Sequence, residues 1–347
     1  MSGEGADRNA ARYLRQMTLP QIGEAGQERL RSARVTLIGL GALGCVQAAY
    51  LARAGVGSLR LVDRDVVEEG NLQRQLLYDE SDAREGAPKA VAACRHLQAA
   101  NSGITLECQV RHLEPGNARE LLSHSDVILD GTDNFETRFL INDYSIATGV
   151  PWVYGACVGM VGIAAPLIPA KTACLRCLLS PESRTAEPTC EGAGILGPAA
   201  GVIGALQAAA ALRILVEGDA WDPWGPVQFE VWEGTPTALP RSKPDPRCPA
   251  CGEKLLEFLE GHRATAQEVL CGRGAVQVLP ARRAPRDLEQ AEVALRPLGD
   301  VRRTPYLLRA TLGGHRFSIF PDGRVIVFGT SDLLRARALV DRFLAGF

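Results

Sequence analysis

The sequence predicts an α/β protein: a doubly wound, largely parallel sheet first, a cysteine-clamped continuation, and a small α+β domain at the end. Three observations carry this. Short β-rich runs alternate with helical runs over residues 34–156, the order that makes strand–helix–strand crossovers. Two C-x-x-C pairs, Cys174/Cys177 and Cys248/Cys251, stand 70 residues apart, so any joint clamp ties together distant parts of the chain. The charge balance breaks near Gly261. Residues 1–261 hold 24 Lys and Arg against 32 acids, whereas residues 262–347 hold 14 Arg and no Lys against 8 acids.

The elements follow in order. Residues 34–39 (RVTLIG) read as a buried strand, 42–54 as a helix and 58–63 (SLRLVD) as the second strand. A helix over 87–100, a strand at 104–110, a strand at 126–130 (DVILD), a helix over 134–148 and a strand at 152–156 extend the pattern. From Gly159 the alternation gives way to hairpin-like apolar segments, a polar stretch at 180–191, a small-residue helix over 198–216 and a strand at 227–232. Residues 234–251 are proline-rich with little periodicity. Residues 276–280, 287–297, 306–312, 316–320, 324–328 and 333–344 read as β-α-β-β-β-α, with Pro321-Asp322-Gly323 as a turn.

At 347 residues, 46% hydrophobic and 22% charged, the chain has room for about two domains and excludes disordered and collagenous classes. The most apolar stretch, 192–212, is rich in Gly and Ala and carries Pro198 and Gln207, so no membrane span is expected. The N-terminus lacks the apolar run of a signal peptide. A cytoplasmic protein is expected, and its ten cysteines are read as thiols or metal ligands before disulfides. A net charge of −2 gives no clear sign of nucleic acid.

GLGALG at Gly39–Gly44 closes a strand and opens a helix. Its glycines Gly39, Gly41 and Gly44 permit a tight turn and close approach of backbone to phosphate, with Ala42 inside the loop. Asp63, at the end of the second strand, is placed to accept from a ribose hydroxyl. This is a Rossmann-like nucleotide fingerprint, for which NAD is the default ligand. The next loop is unlike a dehydrogenase. DRDVVEEGNLQRQ supplies Asp65, Asn71, Arg74 and Gln75, and GAPKA supplies Lys89. Cations converging on a phosphate site suit a triphosphate, whose charge must be neutralised during in-line attack. In DGTDN, Asp130 and Asp133 stand where a strand meets a helix, and Asp133 is placed to hold Mg²⁺ between phosphates. Asp133 with Glu136 also reads as a helix capping box.

Cys174, Cys177, Cys248 and Cys251 make a Cys₄ set, the closed tetrahedral arrangement of structural zinc. Such sites contribute on the order of 10–16 kcal/mol in small peptides. Cys190 differs, lying in a polar stretch between Glu187 and Glu191. Cys45 and Cys157 fall in apolar contexts and read as core; Cys94, Cys108 and Cys271 carry no reading. The resulting division is a nucleotide-binding part over 30–156 and a zinc-clamped part over 157–258, together within 1–261, then a domain of unknown role over 262–347.

RYLRQ (Arg12–Gln16), GLGALG, DRDVVEEGNLQRQ, Pro88-Lys89, DGTDN and the cysteine pairs, in this order, resemble the ThiF/MoeB/HesA family, bacterial relatives of ubiquitin-activating enzymes. The likeness runs over about residues 8–258. It implies Mg-ATP binding and adenylation of the C-terminal glycine of a ubiquitin-like sulfur-carrier protein ending in Gly-Gly. It gives Asp63 the ribose, Asn71, Arg74 and Lys89 the phosphates, and Asp133 the metal, with Asn134 beside it. Arg15 becomes an arginine finger reaching a neighbouring subunit's site in a homodimer. Cys190 takes the position of a cysteine able to bond covalently to the carrier.

The implied reaction sets the carrier's terminal carboxylate against the α-phosphorus of ATP, releasing pyrophosphate and leaving an acyl-adenylate. Catalysis is then positioning and charge neutralisation by Arg15, Arg74, Lys89 and Mg²⁺. A persulfide donor would supply sulfur for a thiocarboxylate. The alternatives are a thioester-forming activating enzyme for protein conjugation through Cys190, an NAD-dependent Rossmann oxidoreductase, and a non-catalytic docking protein that keeps only nucleotide binding.

Overall fold

The computed structural model describes residues 11–179, 194–263, 267–270, 275–278 and 286–344. They form two compact units, one holding the described residues up to 263 and the other those from 267.

In the first unit, helical residues 11–17 precede α1 (Gly23–Ser32), β1 (Arg34–Ile38), α2 (Ala42–Ala54) and β2 (Ser58–Val62). Next come α3 (Glu80–Glu85), α4 (Lys89–Ala100), β3 (Thr105–Gln109), α5 (Pro115–Leu121), β4 (Val127–Asp130), α6 (Phe135–Thr148) and β5 (Trp152–Val158). β6 (Val161–Leu167), α7 (Leu175–Leu178), α8 (Gly197–Glu217), β7 (Val227–Glu230) and β8 (Thr235–Ala238) complete it. The strands form one sheet in the order β3-β2-β1-β4-β5-β6-β7-β8. It is parallel from β3 to β5 and antiparallel from β5 onward.

Both halves of that pattern have local causes. The parallel strands are buried on both faces, and successive residues feed opposite cores. Val35 and Leu37 of β1 and Val127 and Leu129 of β4 join the core holding Leu51, Ala52 and Leu97. Ile38 and Ile128 join the other, with Phe139, Leu140 and Trp152. The switch to antiparallel pairing comes at Gly159, whose φ of +62° makes a two-residue turn between paired Val158 and Val161.

α8 explains its own composition. A Cβ on Gly204 would lie 2.8 Å from the Val46 side chain, and one on Gly162 of β6 would lie 2.3 Å from Ile203. Small residues let this helix press onto both α2 and the sheet. By length and composition residues 197–220 are apolar enough to cross a membrane. The helix expected over 198–216 forms, with Pro198 in its first turn, where it does no damage, and more than half of the apolar window is buried against α2 and the sheet.

The second unit contains β9 (Gln267–Leu270), β10 (Ala275–Val278), α9 (Leu288–Leu295), β11 (Gly299–Arg303), β12 (Leu308–Leu312), β13 (His315–Ile319), β14 (Val325–Phe328) and α10 (Leu333–Leu344). Its strands pair antiparallel in the order β11-β12-β13-β14-β10-β9. Phe317, Ile319, Val325 and Val327 on one sheet face pack with Leu295 of α9 and with Ala336, Val340 and Leu344 of α10. Gly313 and Gly314, with φ of +56° and +81°, turn the β12–β13 hairpin.

Several expectations change. β9 and β11 lie where no strand was expected, and β8 lies within the segment read as aperiodic. β8 and β11 are terminal strands of their sheets, and β8 is exposed throughout, so neither shows a buried alternation. Cys94 and Cys108, given no reading, form a disulfide between α4 and β3, contrary to the expectation of thiols or metal ligands. No spacing rule marks such a pair, because parallel pairing alone brings β3 alongside its preceding helix. Cys45 and Cys157 are buried in the core as expected.

Candidate nucleotide site and cysteine clamp

Ile38 of β1 is in register with Val62 of β2 and with Asp130 of β4, so the three strands end together. Their carboxyl ends open a crevice where the strand order reverses between β1 and β4, the place α/β sheets use for ligands. Gly39 and Gly131 face each other across it. A Cβ on Gly39, whose φ is +85°, would lie 2.7 Å from the Gly131 carbonyl, and one on Gly44 would lie 2.0 Å from Gly39 O. Gly41 is different. A Cβ there would find its nearest neighbours at 3.9 Å, so the space above it is left open. Gly41 also caps α2 without a side-chain acceptor, leaving the first-turn amides for an anion. Ala42 starts α2 without disturbance.

The charged loop folds against this cradle. Asp63 is buried, and its carboxylate accepts hydrogen bonds from Leu40 N at 2.7 Å and Asp65 N at 2.6 Å. Burial raises the Asp63 pKa, while the nearby Lys89 charge opposes the rise. Lys89, also buried, sets its Nζ 3.3 Å from Asp65 Oδ2 and donates its backbone N–H to Asp65 O. Tyr78 ties the arrangement to the loop by donating to Leu40 O at 2.9 Å. Gln75 is buried with Nε2 near Gly41 and with Oε1 lacking a protein partner. That orphaned acceptor beside an open cradle fits a site built for a further group.

Other candidates are placed differently. Asn71 is buried and closes a turn, its Oδ1 accepting from Glu68 N at 3.3 Å. Arg74 is partly exposed, donates to Gly70 O at 2.9 Å, and stands by the N-terminus of α8 near Gly197. Asp133 is exposed at the end of β4. The capping box expected of Asp133 and Glu136 does not form. Asn134 is the cap of α6 instead, its Oδ1 accepting from Thr137 N at 2.8 Å, because the helix begins one residue later than that reading required. Asp133 is thereby released from capping and remains available for a cation.

Arg15 lies on the exposed side of the helical residues 11–17. The opposite side is fastened: Tyr13 packs on Gly55 and accepts from Asn101, and Gln16 bonds Gln27 and Ala54 O. Cys190 lies outside the described residues.

The sequence reading missed Arg138. Buried in α6, it pairs with Asp130 at 3.2 Å and donates to Thr132 O at 2.6 Å and Gly155 O at 3.1 Å. The Phe135 and Tyr154 rings lie about it, at 5.0 and 5.4 Å. It braces the turn that carries Asp133. An arginine immediately before the apolar run Phe139-Leu140-Ile141 was the available signal.

The four cysteines of the clamp do meet. Sγ–Sγ distances are 3.8 Å for Cys174–Cys177, 3.7 Å for Cys174–Cys248 and 3.4 Å for Cys177–Cys251. Four sulfurs at about 2.3 Å from one tetrahedral ion stand about 3.8 Å apart. The all-sulfur donor set therefore fits zinc. Gly252 makes the second knuckle possible, since a Cβ there would lie 2.1 Å from Pro246 O.

With cradle and clamp in place, residues 13–250 match the family model described as ThiF. The chain belongs to the ThiF family. This ThiF-family chain is 38% identical over 335 residues to the sulfur carrier protein ThiS adenylyltransferase of Bacillus subtilis, covering 96% of this chain and 99% of that protein. It is 39% identical over 249 residues to a sulfur carrier protein adenylyltransferase of Thermus thermophilus, covering 70% of this chain and 91% of the other. With the SAMP-activating enzyme E1 of Haloferax volcanii it shares 39% over 254 residues, 72% and 91% of the two chains. Among solved structures, E. coli MccB with succinimide superposes with a TM-score of 0.61 at 22% identity over 70% of this chain and 74% of that one, a likeness of fold.

Proposed function

We propose that the protein adenylates the C-terminal glycine of a ubiquitin-like sulfur-carrier protein. It is an adenylyltransferase, the activity named for relatives that match it over most or nearly all of its length. The observation that carries the reading is the cradle itself: glycines 39, 41 and 44 held open by Asp63, with buried Lys89 and partly exposed Arg74 beside it. An NAD-dependent oxidoreductase transfers hydride at the nicotinamide and expels no pyrophosphate, so its chemical step would not call on those cations.

The carrier's terminal carboxylate is already an anion, so no general base is required. Its oxygen attacks the α-phosphorus of ATP, the bond to the pyrophosphate oxygen breaks, and an acyl-adenylate remains. Lys89 and Arg74 neutralise the phosphate charge, Asn71 and Gln75 orient the chain of phosphates, and Asp63 takes the ribose. Asp133, exposed beyond β4, would hold Mg²⁺, which would supply charge neutralisation at the phosphates. Zinc in the Cys₄ set is structural, with no open position. A persulfide donor then supplies the sulfur, and a cytoplasmic location suits the use of ATP.

Arg15 works across a homodimer. Exposed Leu14 and Leu19, and Tyr50 on α2, give the N-terminal region an apolar surface suited to a second copy. ATP–pyrophosphate exchange tests the reaction: it should appear only with a carrier ending in Gly-Gly, and exchange without any carrier would refute the assignment. Mixing Arg15→Ala with Lys89→Ala protein tests the dimer. A two-fold pair reconstitutes one good site per mixed dimer, so about a quarter of wild-type exchange should return; no recovery would place Arg15 in its own subunit's site, and full exchange by Arg15→Ala alone would place it outside catalysis.

A further inference from the structure

The Cys94–Cys108 disulfide is not part of the cysteine clamp and is used by no step above. It joins α4 to β3, residues 14 apart, with Cα atoms separated by 6.3 Å. Both elements lead to the nucleotide cradle. α4 opens with Lys89, whose backbone and side chain are tied to Asp65. β3 closes with Gln109, whose carbonyl accepts the Asp63 N–H at 3.1 Å, one residue beyond Cys108. The bond therefore fastens the element that presents the phosphate-side cation to the element that supports the acid expected at the ribose. β3 is the outer strand of its sheet, pairing with β2 alone among the described residues, so its other side offers no second ladder to hold it.

The two cysteines differ in exposure. Cys94 is 8% exposed, whereas Cys108 is exposed on the outer strand. An external thiolate can thus reach one end of the bond. A disulfide with one cysteine exposed is of the labile kind that exchanges with thiols in a reducing compartment.

We propose that Cys94–Cys108 is a reversible thiol–disulfide site that sets how firmly the nucleotide cradle is held, a proposal that rests on the ATP reading of that cradle. A thiolate of a small or protein dithiol attacks the Cys108 sulfur. The bond to Cys94 breaks, and Cys94 leaves as a thiolate that takes a proton from water. The reductant's second thiolate then attacks its own sulfur in the mixed disulfide, releasing the Cys108 thiolate, which is protonated in turn. The protein ends as a dithiol and the reductant as a disulfide. A disulfide oxidant such as oxidised glutathione drives the reverse. Oxidation holds α4 against β3 and favours nucleotide; reduction loosens the edge.

The full-length protein tests this. It is equilibrated with a small dithiol such as dithiothreitol or with oxidised glutathione, alkylated rapidly, and mapped by peptide mass, while Tm and ATP affinity by calorimetry are measured on each form. The expected result is a 94–108 cross-link only in the oxidised form, a Tm lower by about 5–10 °C on reduction, and ATP binding weakened by threefold or more. Cys108→Ser should resemble the reduced form in both buffers, which separates this pair from any effect on the four clamp cysteines. A pair that stays reduced with oxidised glutathione, or oxidised and reduced forms of equal Tm and equal affinity, would overturn the proposal. If the cross-link and Tm respond while neither form binds ATP, the ATP reading fails and the exchange site stands.

Discussion

At the scale of single residues, charge and burial decide what each group can do. Lys89 lies beside Asp65 in a buried ion pair, and removing it leaves acids uncompensated. Lys89→Ala should reduce pyrophosphate exchange at least about a hundredfold and also lower stability by about 3 kcal/mol. Arg74, partly exposed, should lose exchange on Arg74→Ala with Tm nearly unchanged; a comparison of exchange rates and melting curves distinguishes the two. Asp143 offers a separate test. It is buried in α6, and its Oδ2 accepts from Phe258 N at 3.0 Å, but burial pushes its pKa up to about 6. A carboxyl whose folded pKa is raised contributes most stability below its unfolded value, near 3.8, and loses that contribution as pH climbs through about 6. The loss reaches at most about 3 kcal/mol. Denaturant titrations of Asp143→Asn should therefore show a flatter dependence of stability on pH between about 4 and 6 than wild type.

At the scale of elements, the loop between β1 and α2 makes a sharp pair of predictions. Gly44→Ala drives a Cβ into Gly39 O, 2.0 Å away, so both fold stability and exchange should fall. Gly41→Ala meets nothing closer than 3.9 Å in the protein. Its methyl group instead occupies the open space of the cradle, so KM for ATP should rise about tenfold while Tm stays within a degree or two. Equal KM values for Gly41→Ala and wild type would remove the loop from nucleotide binding. The turn after β4 depends on α6. Arg138→Met leaves Asp130 buried without its cation and should cost about 3–5 kcal/mol. Arg138→Lys keeps charge but not the fork that reaches Thr132 O and Gly155 O, and should raise the Mg²⁺ concentration needed for half-maximal exchange more than it lowers Tm. That coupling was illegible in the sequence, because Asp130 reads as a strand-end acid and Arg138 as an ordinary charge within a helix until β5 brings Gly155 alongside.

At the scale of the whole molecule, the clamp joins Cys174 and Cys177 to Cys248 and Cys251 across 70 residues of chain. One zinc per chain is expected by elemental analysis, and its removal with a strong chelator should lower Tm by 10 °C or more while releasing four titratable thiols. The alternation of strands and helices, the glycine loop, Asp63 and the two C-x-x-C pairs were all legible in the sequence. Each is written in local spacing, which backbone geometry and metal chemistry translate directly. The edge strands β8 and β11, the disulfide, the buried Arg138–Asp130 pair and the release of Asp133 from capping were not. These depend on which segments become neighbours. Sequence alone therefore determined the strand–helix alternation of residues 34–156 and the chemical kind of the site, since periodicity and motif spacing are properties of adjacent residues. The tertiary structure decided which charges are buried, which acid is left free and which cysteines meet, since burial and pairing arise only when distant segments pack.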